Sequence, residues 1–394
     1  IAYGMDIGSD KVVLVYDLGG GTFDITLIAI TAQSIQVIVT GGDHELGGKD
    51  WDDALIGYLA DYFKSENGTE EDILSDAETL GELQLNAEKA KKTLTQRDKT
   101  TIPINFGGEK VKAELSKEKI EELTAPLLER TIALTHALLK EAAAKGYNHF
   151  DEFILVGGSS RMPQVKVRID QEFSTDAKIY DPDESVAKGA AIFGWKTSIN
   201  DELVKRIAES TGQSVETIAL DTLPEETLSQ YERQVADEVG LTLGAVQKSR
   251  TEILNVTSKS FGVVALDGNK DKRLFNLILK NETVPREYTQ QFGTDEINQD
   301  SAHIEIMENE SSDRITDPEF GLEIGTAVLH LPLGLPEGSP IQVTFQINEE
   351  GRLIVTALEV TNHRGVETTI ETTSVISGEA LVQAKERSKG IVIV

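Results

Sequence analysis

The chain has 394 residues, enough for two or three domains, and its 38 lysines and arginines are outnumbered by 67 aspartates and glutamates. The resulting net charge of -29 repels phosphate backbones and anionic lipids, so binding to nucleic acid or to a membrane surface is not expected. The absence of cysteine excludes disulfides, thiol catalysis and cysteine-ligated zinc. No apolar run approaches the ~20 residues of a membrane span. A reducing, cytoplasmic location fits this composition.

The first region, residues 1–197, alternates short apolar runs with helical stretches. VVLVYDL, ITLIAI and FILVGG are typical of strands, whereas 78–94 and 116–145 are typical of helices. This mixture predicts an α/β domain.

The rest of the chain changes character several times, which predicts a multidomain protein. Residues 198–250 are polar and helix-patterned, so they predict a helical insertion, and residues 251–256 would form an interdomain linker. Residues 257–376 contain short alternating runs such as IQVTFQI and RLIVTALEV, which predict an antiparallel β-sandwich. Residues 377–394 would form a short C-terminal helix or tail.

A glycine turn separates the first two predicted strands, residues 12–18 and 22–30. The turn consists of Gly19, Gly20 and Gly21. Because glycine lacks a Cβ atom, this turn can present its N–H groups to a phosphate at close range. Asp17 and Asp24 could hold Mg²⁺ through water, and the Thr22 hydroxyl could face a terminal phosphate. A glycine hairpin with solvated acids is the alternative, and the lack of G-K-[ST] excludes a Walker-type P-loop.

Two later stretches also join apolar runs to small residues. FILVGGSSRMPQV predicts a strand that leads into Gly157, Gly158, Ser159 and Arg161. DPDESVAKGAA then predicts a helix with acids near its N-terminus, among them Asp183. Together with DLGGGTFD and with AEKAKKTLT at 87–95, these stretches resemble, in this order, the DnaK-type 70-kDa heat-shock chaperones.

The resemblance implies an actin-like (ribonuclease H-like) ATPase fold that holds ATP or ADP and Mg²⁺ between two lobes. Gly19 to Thr22 would meet the β- and γ-phosphates, and Asp17 and Asp24 would belong to the magnesium shell. Thr22, Asp17 and Asp24 are therefore the catalytic candidates, and Asp183 would close the site. Two groups would hold the adenosine: Glu88, Lys91, Lys92 and Thr95 on one side, and Gly157, Gly158, Ser159 and Arg161 on the other. Taken alone, the lysine-rich stretch would be an ordinary charged helix face.

In that family a first lobe, with a phosphate loop, a lysine and a glutamate, precedes the stretch that corresponds to AYGMD. The chain begins at Ile1, in what resembles the last turns of the connecting helix, so we expect the second lobe without the first. Asp6 to Ser9 imitates a first phosphate loop, but the seven residues before Asp17 leave no room for a lobe. We therefore expect the complete protein to hydrolyse ATP and this chain alone to be inactive.

The β-rich half resembles the peptide-binding domain of the same family. ILNVTSKSFGVVAL resembles the linker and first strand, and PLGLPEGSPIQVTFQINEEGRLIVTA resembles the closing strands. Five matching positions would form the apolar side of a groove for an extended peptide. They are Val263, Phe292, Ala302, Ile304 and Ile306. Burial in the sandwich core is the alternative for each of them.

Several positions depart from the family pattern. Asn255 stands where the linker has an aspartate. Ala302 stands where a larger aliphatic residue is usual, and Asp295 lies near an arch that is usually apolar, so the groove would prefer other peptides. The chain ends soon after SGEALVQAKERSKG, so the family's helical lid is not expected.

The predicted insertion, residues 198–250, contains an internal echo. IAESTGQSVETI from Ile207 and VADEVGLTLGAV from Val235 repeat at 28 residues, with the Ala, Gly and aliphatic spacing of helix-turn-helix motifs. DNA binding is one interpretation, but the acids of SVETIALD oppose phosphate contacts. We expect instead a helical insertion that packs on the ATPase lobe or contacts a partner.

Two classes of function follow. The first is an ATP-regulated chaperone that binds extended apolar segments of unfolded polypeptides, with nucleotide state coupled to peptide affinity. The resemblance implies a J-domain co-chaperone and a nucleotide-exchange factor as its partners. The second class is a non-catalytic adaptor that keeps the chaperone fold. An actin-like sugar kinase would not account for the β-rich half.

Overall fold

The computed structural model describes residues 1–4, 9–348 and 351–370. The chain divides into two compact units, Ile1–Ile253 and Leu254–Val394. The predicted tail and the residues Asp6 to Gly8 lie outside the described residues. No helix in the described ranges combines the length and the apolar character needed to cross a membrane.

The first unit is a mixed α/β structure. Its strands are β1 (Lys11–Leu18), β2 (Phe23–Ile30), β3 (Ser34–Asp43), β4 (Lys99–Phe106), β5 (Glu109–Ser116), β6 (Glu152–Val156), β7 (Lys178–Ile179) and β8 (Glu252–Leu254), within which the boundary between the units lies. Its helices are α1 (Gly48–Asn67), α2 (Ala77–Leu94), α3 (Lys117–Ala144), α4 (Pro163–Phe173), α5 (Ser185–Thr211), α6 (Glu225–Val239) and α7 (Leu243–Ser249). Short 3₁₀ turns lie at Ile73–Ser75, Gly158–Arg161, Val215–Thr217 and Leu220–Thr222.

The central sheet of this unit has the order β7-β6-β1-β2-β3-β8. β1, β2 and β3 pair antiparallel, whereas β6 pairs parallel with both β1 and β7. β4 and β5 form a separate hairpin. The sheet therefore brings the end of β1 and the end of β6 to the same edge, because parallel strands share their direction.

Alternating side chains of β1 build two cores, one on each face of the sheet. Leu14, Tyr16 and Leu18 belong to a cluster that includes residues of α1, α3 and α4. Val13 and Val15 pack in the cluster on the other face. This period of two explains why a continuous apolar run forms a central strand that is covered on both faces.

The predicted insertion has a small core of its own, formed by Ile199, Leu203, Val235, Ala236 and Val246. α5 is continuous across the predicted boundary between residues 197 and 198, so the α/β region and this helical region share one helix.

The two copies of the echo fold differently. In the second copy Gly240, at φ 72°, ends α6, and the Thr242 side chain caps α7 by accepting the Ala245 N–H. In the first copy Gly212 ends α5, and a 3₁₀ turn at Val215–Thr217 follows in place of a helix. Only the second copy therefore has the helix–turn–helix arrangement that its spacing predicts.

The second unit is a sandwich of two antiparallel sheets. Its strands are β9 (Ser260–Leu266), β10 (Lys272–Ile278), β11 (Arg286–Gly293), β12 (Ser301–Asn309), β13 (Ile315–Thr316), β14 (Leu322–His330), β15 (Pro340–Ile347), β16 (Leu353–Glu359) and β17 (Arg364–Ile370), with a 3₁₀ turn at Pro318–Phe320. The sheet orders are β13-β10-β9-β12-β14 and β11-β15-β16-β17. Residues of both sheets share one apolar core, which includes Leu277, Phe345 and Val355.

Candidate functional site

The turn between β1 and β2 is short because the Gly19 N–H donates to the Thr22 carbonyl at 2.9 Å. Asp17 and Asp24 lie directly opposite each other at the strand ends. Burial, and then the charge of Asp24, raise the pKa of Asp17 above its ordinary value. Two adjacent carboxylates that repel each other suit a divalent cation.

A metal at this pair would keep most of its waters. In residues 1–4, 9–348 and 351–370, no group of three or more His, Asp or Glu side chains could ligate a metal directly. Mg²⁺ commonly retains several waters and takes only one or two carboxylates. Asp17 and Asp24 therefore fit the water-mediated site predicted from the sequence.

The start of α1 is hydrogen-bonded to the glycine turn between β1 and β2. The Gly48 N–H donates to the Gly19 carbonyl at 2.9 Å, and the Lys49 N–H donates to the Gly20 carbonyl at 2.8 Å. A Cβ atom at Gly47 would lie 2.5 Å from the Gly21 nitrogen, so only glycine fits there. Gly47 and Gly48 were not predicted from the sequence as site residues, although two adjacent glycines at the start of a helical stretch indicate a close backbone approach.

The turn that follows β6 packs against the same strand ends. Gly157 has a φ of 81°, and a Cβ there would overlap the Asp17 Oδ1 and the Leu18 carbonyl. The Ser159 hydroxyl donates to the Gly19 carbonyl at 2.8 Å. The glycine turn after β1 and the glycine turn after β6, which are far apart in the sequence, therefore contact each other directly.

α2 forms a third side of the candidate site, next to the two glycine turns. The Lys91 Nζ donates to the Gly48 carbonyl at 2.6 Å and to the Asp52 Oδ2 at 2.7 Å. Burial outweighs this ion pair and raises the pKa of Asp52, whose Oδ1 is buried and meets no hydrogen-bond partner among the described residues. Glu88 pairs with Lys92 at 2.6 Å on the exposed face of the helix. Asp52, which was not predicted from the sequence, thus offers an acceptor for a ligand.

These segments enclose a cavity of about 550 Å³, a size within the usual range for ligand pockets. Its lining includes nine residues predicted from the sequence: Gly20, Glu88, Lys91, Lys92, Thr95, Gly158, Ser159, Arg161 and Asp183. Six other predicted residues do not line it but belong to the adjoining strand ends and turns: Asp17, Gly19, Gly21, Thr22, Asp24 and Gly157. Arg161 and Asp183 form an ion pair at the rim.

The second unit has a cavity of about 720 Å³ between strands of its two sheets. Val263, Phe292, Ala302 and Ile304 line it, whereas Ile306 is fully buried in the core and does not. The four lining residues also belong to the sandwich core or pack against it. These four residues therefore line the cavity and also contribute to the sandwich core, whereas Ile306 contributes to the core alone.

Comparison with known proteins identifies the family. The family model described as "Hsp70 protein" matches residues 1–203 and 236–389, which is most of the chain. The chain belongs to the Hsp70 family. This confirms the resemblance derived from the glycine motifs. The mixed α/β unit followed by a β-rich unit is consistent with an actin-like ATPase and a β-rich domain.

Similar curated proteins include those named "Chaperone protein DnaK" from two strains of Halobacterium salinarum, R1 and NRC-1. Each is 30% identical over 393 residues, which cover 98% of this chain and 53% of the relative. The chain thus spans about half the length of these Hsp70 relatives. The Hsp70 family model leaves residues 204–235 unmatched, within the helical region that the sequence singled out.

Proposed function

We propose that this chain is part of an Hsp70-type chaperone, in which the first unit binds ATP or ADP with Mg²⁺ and the second binds extended apolar segments of unfolded polypeptides. The observation that carries the nucleotide assignment is the convergence of two glycine turns and α2 on one cavity. The names of the DnaK relatives support the chaperone assignment.

The phosphates of the nucleotide would lie against the turn between β1 and β2. Gly20 and Gly21 would offer backbone N–H groups, and apart from the adjacent residues of the chain nothing in the described structure lies within 4 Å of a Cβ built at either position, so the approach is open. Asp17 and Asp24 would hold Mg²⁺ through water, and Thr22 would direct its hydroxyl at the terminal phosphate. When bound, Mg-ATP supplies the phosphoanhydride bond whose hydrolysis drives the chaperone cycle.

The adenosine would lie between α2 and the turn after β6. Glu88 and Lys92 would face it from α2, and Thr95 from the C-cap of that helix, while Ser159 would face it from the opposite wall. The orphaned Oδ1 of Asp52 would accept a hydrogen bond from a ribose hydroxyl or an amino group. A bound nucleotide would therefore satisfy a buried acceptor that has no partner among the described residues.

Remaining residues of the same assignment are Lys91, Gly157, Gly158, Arg161 and Asp183. Lys91 would orient Asp52, since its ammonium already contacts that carboxylate. Gly157 would keep the strand ends close together, and Gly158 would leave the wall open. Arg161 and Asp183 would cover the base.

We expect this chain by itself to bind Mg-ATP weakly and to show no turnover above background. The side chains of Glu88, Lys92, Arg161 and Asp183 are half or more exposed, at 50%, 72%, 52% and 64%. Polar groups that are exposed to water contribute little to affinity, because binding only exchanges their hydrogen bonds to water for hydrogen bonds to the ligand. A J-domain co-chaperone and a nucleotide-exchange factor are the proposed partners of the chaperone.

Substitution of Gly20 tests the nucleotide site. A Gly20→Val side chain would occupy the open space of the cavity without meeting protein atoms near its Cβ, so the fold should persist. Titration calorimetry with Mg-ATP should show affinity at least about tenfold weaker, or ~1.4 kcal/mol. Gly57→Val, within α1 at a position that does not line the cavity and where a Cβ is equally free of near neighbours, is the control. Equal affinity in both variants, or no binding by the unaltered chain at millimolar Mg-ATP, would refute the assignment.

Substitution of Phe292 tests the peptide groove. Phe292 lines the cavity and is only half-buried, so Phe292→Ala should weaken binding of a fluorescein-labelled apolar heptapeptide while the sandwich stays folded. Phe320→Ala removes a ring that is 75% exposed and does not line the cavity. Anisotropy titrations should therefore separate the two variants. If both bind the peptide as tightly as the unaltered chain, the groove lies elsewhere.

A further inference from the structure

We propose that the groove of the second unit selects an aromatic side chain of the bound peptide and that Ala302 sets this preference. This inference rests on the proposed peptide-binding function and specifies its substrate class: apolar segments that carry Phe, Tyr or Trp. Two features of the cavity lead to it, namely space at one wall and aromatic rings at another.

Space is provided at Ala302. Along β12, Ala302 and Ile304 share one face of the strand, and both line the cavity. Ala302 pairs with Leu329 of β14, and Ile304 pairs with Ala327, so a small residue stands diagonal to another small residue on this face. Ala302 has three fewer carbon atoms than the neighbouring Ile304. The small side chain of Ala302 therefore leaves space in the wall that a branched side chain would fill, and a ring fits there more readily than at a wall of branched side chains.

Aromatic rings stand at another wall. Phe275 of β10 and Phe292 of β11 both line the cavity, with ring centroids 5.7 Å apart and an interplanar angle of 80°. This edge-to-face pair joins the two sheets at the groove. A ring on the ligand can extend such a pair by edge or face contact, which an aliphatic side chain cannot do. The wall thus adds a preference of its own to the space at Ala302.

The test compares labelled heptapeptides that carry lysines at both ends and differ only in the central residue, Leu, Phe or Trp. By fluorescence anisotropy, the unaltered chain should bind the Phe and Trp peptides about tenfold more tightly than the Leu peptide. Ala302→Ile should fill the space and invert this order. Val328→Ile, on the outward face of the neighbouring β14, enlarges an aliphatic side chain by one methylene away from the groove and should leave the order unchanged.

Several outcomes would overturn the inference. Equal or tighter binding of the Leu peptide by the unaltered chain contradicts it while leaving the proposed peptide function intact. An unchanged Phe to Leu ratio in folded Ala302→Ile contradicts the role of Ala302. If circular dichroism shows that this variant is unfolded, Ala302→Val adds less volume and should reduce the ratio by about threefold; no reduction contradicts the role equally. Failure of all three peptides to bind contradicts both this inference and the proposed function.

Discussion

The two units build their candidate sites from different materials. The cavity of the first unit is made by backbone and charged groups on turns, as where the Gly19 carbonyl accepts both the Gly48 N–H and the Ser159 hydroxyl. The groove of the second unit is made by apolar side chains on strands, such as Val263 and Ile304, which also belong to the core.

This difference determines how binding relates to stability. In the first unit a position such as Gly20 faces open space, so a substitution can block the site and spare the fold. In the second unit buried lining residues such as Val263 and Ile304 also belong to the core between the two sheets, so a substitution at one of them acts on both binding and stability. The following predictions test this contrast.

The largest effect is expected at Ile304. This side chain is 8% exposed, so Ile304→Asp would place an unpaired charge in the sandwich core and cost about 3–5 kcal/mol. Calorimetry should show the second unit unfolding early. The first unit should be unaffected, as reported by the chain's two tryptophans, Trp51 and Trp195, both within that unit. Val328→Asp, at a position 38% exposed, is the control. A stable Ile304→Asp protein with unchanged peptide affinity would break the contrast.

A somewhat smaller effect is expected at Gly157. Its positive φ and the overlap of a Cβ with Asp17 and Leu18 predict that Gly157→Ala costs the first unit about 2–4 kcal/mol. Urea unfolding followed by tryptophan fluorescence measures this loss. The neighbouring Gly158→Ala, where a Cβ meets nothing within 4 Å, should cost far less. Similar losses in the two variants would contradict the close packing of the two turns.

The smallest effect concerns Asp17. Its pKa is raised in the folded state by burial and by Asp24, so the folded chain binds a proton more readily than the unfolded chain. The free energy of unfolding should therefore fall as the pH rises from the ordinary value of 3.8 through the raised folded pKa. Asp17→Asn should remove this fall and stabilise the first unit slightly at pH 7 in the absence of Mg-ATP.

Urea titrations at several pH values, again by tryptophan fluorescence, measure the dependence on Asp17. Asp61→Asn, at an exposed carboxylate of α1, is the control and should leave the pH profile as it is. An Asp17→Asn chain that is less stable at neutral pH would show that the carboxylate stabilises the turn and does not strain it.

Local pattern was enough to predict the regular elements near the first site. The predicted helices 78–94 and 116–145 correspond to Ala77–Leu94 and Lys117–Ala144, because Asp76 and Ser116 cap their first turns. Side-chain caps act within three residues, so their signal is visible in the sequence.

The glycine pair at 47 and 48 and the acid Asp52 could not be assigned in the same way. They acquire a role only because the start of α1 lies against the turn after β1, and nothing local specifies that contact. The first copy of the echo shows that a local pattern can also mislead. Its spacing is typical of a helix–turn–helix, but a 3₁₀ turn forms at Val215–Thr217 in place of the second helix.

The sequence by itself determined the family, the order of α/β and β-rich regions, and the residues that converge on the first cavity, because glycine turns and their flanking acids carry a distinct local signature. Tertiary structure alone decided which apolar strand residues of the second unit face open space. Val263, Ala302 and Ile304 line the groove while Ile306 lies wholly in the core, although all four share the same pattern. The period-two alternation of a strand's sequence predicts which of its faces is apolar. Which part of that face stays uncovered depends on how one sheet packs on the other.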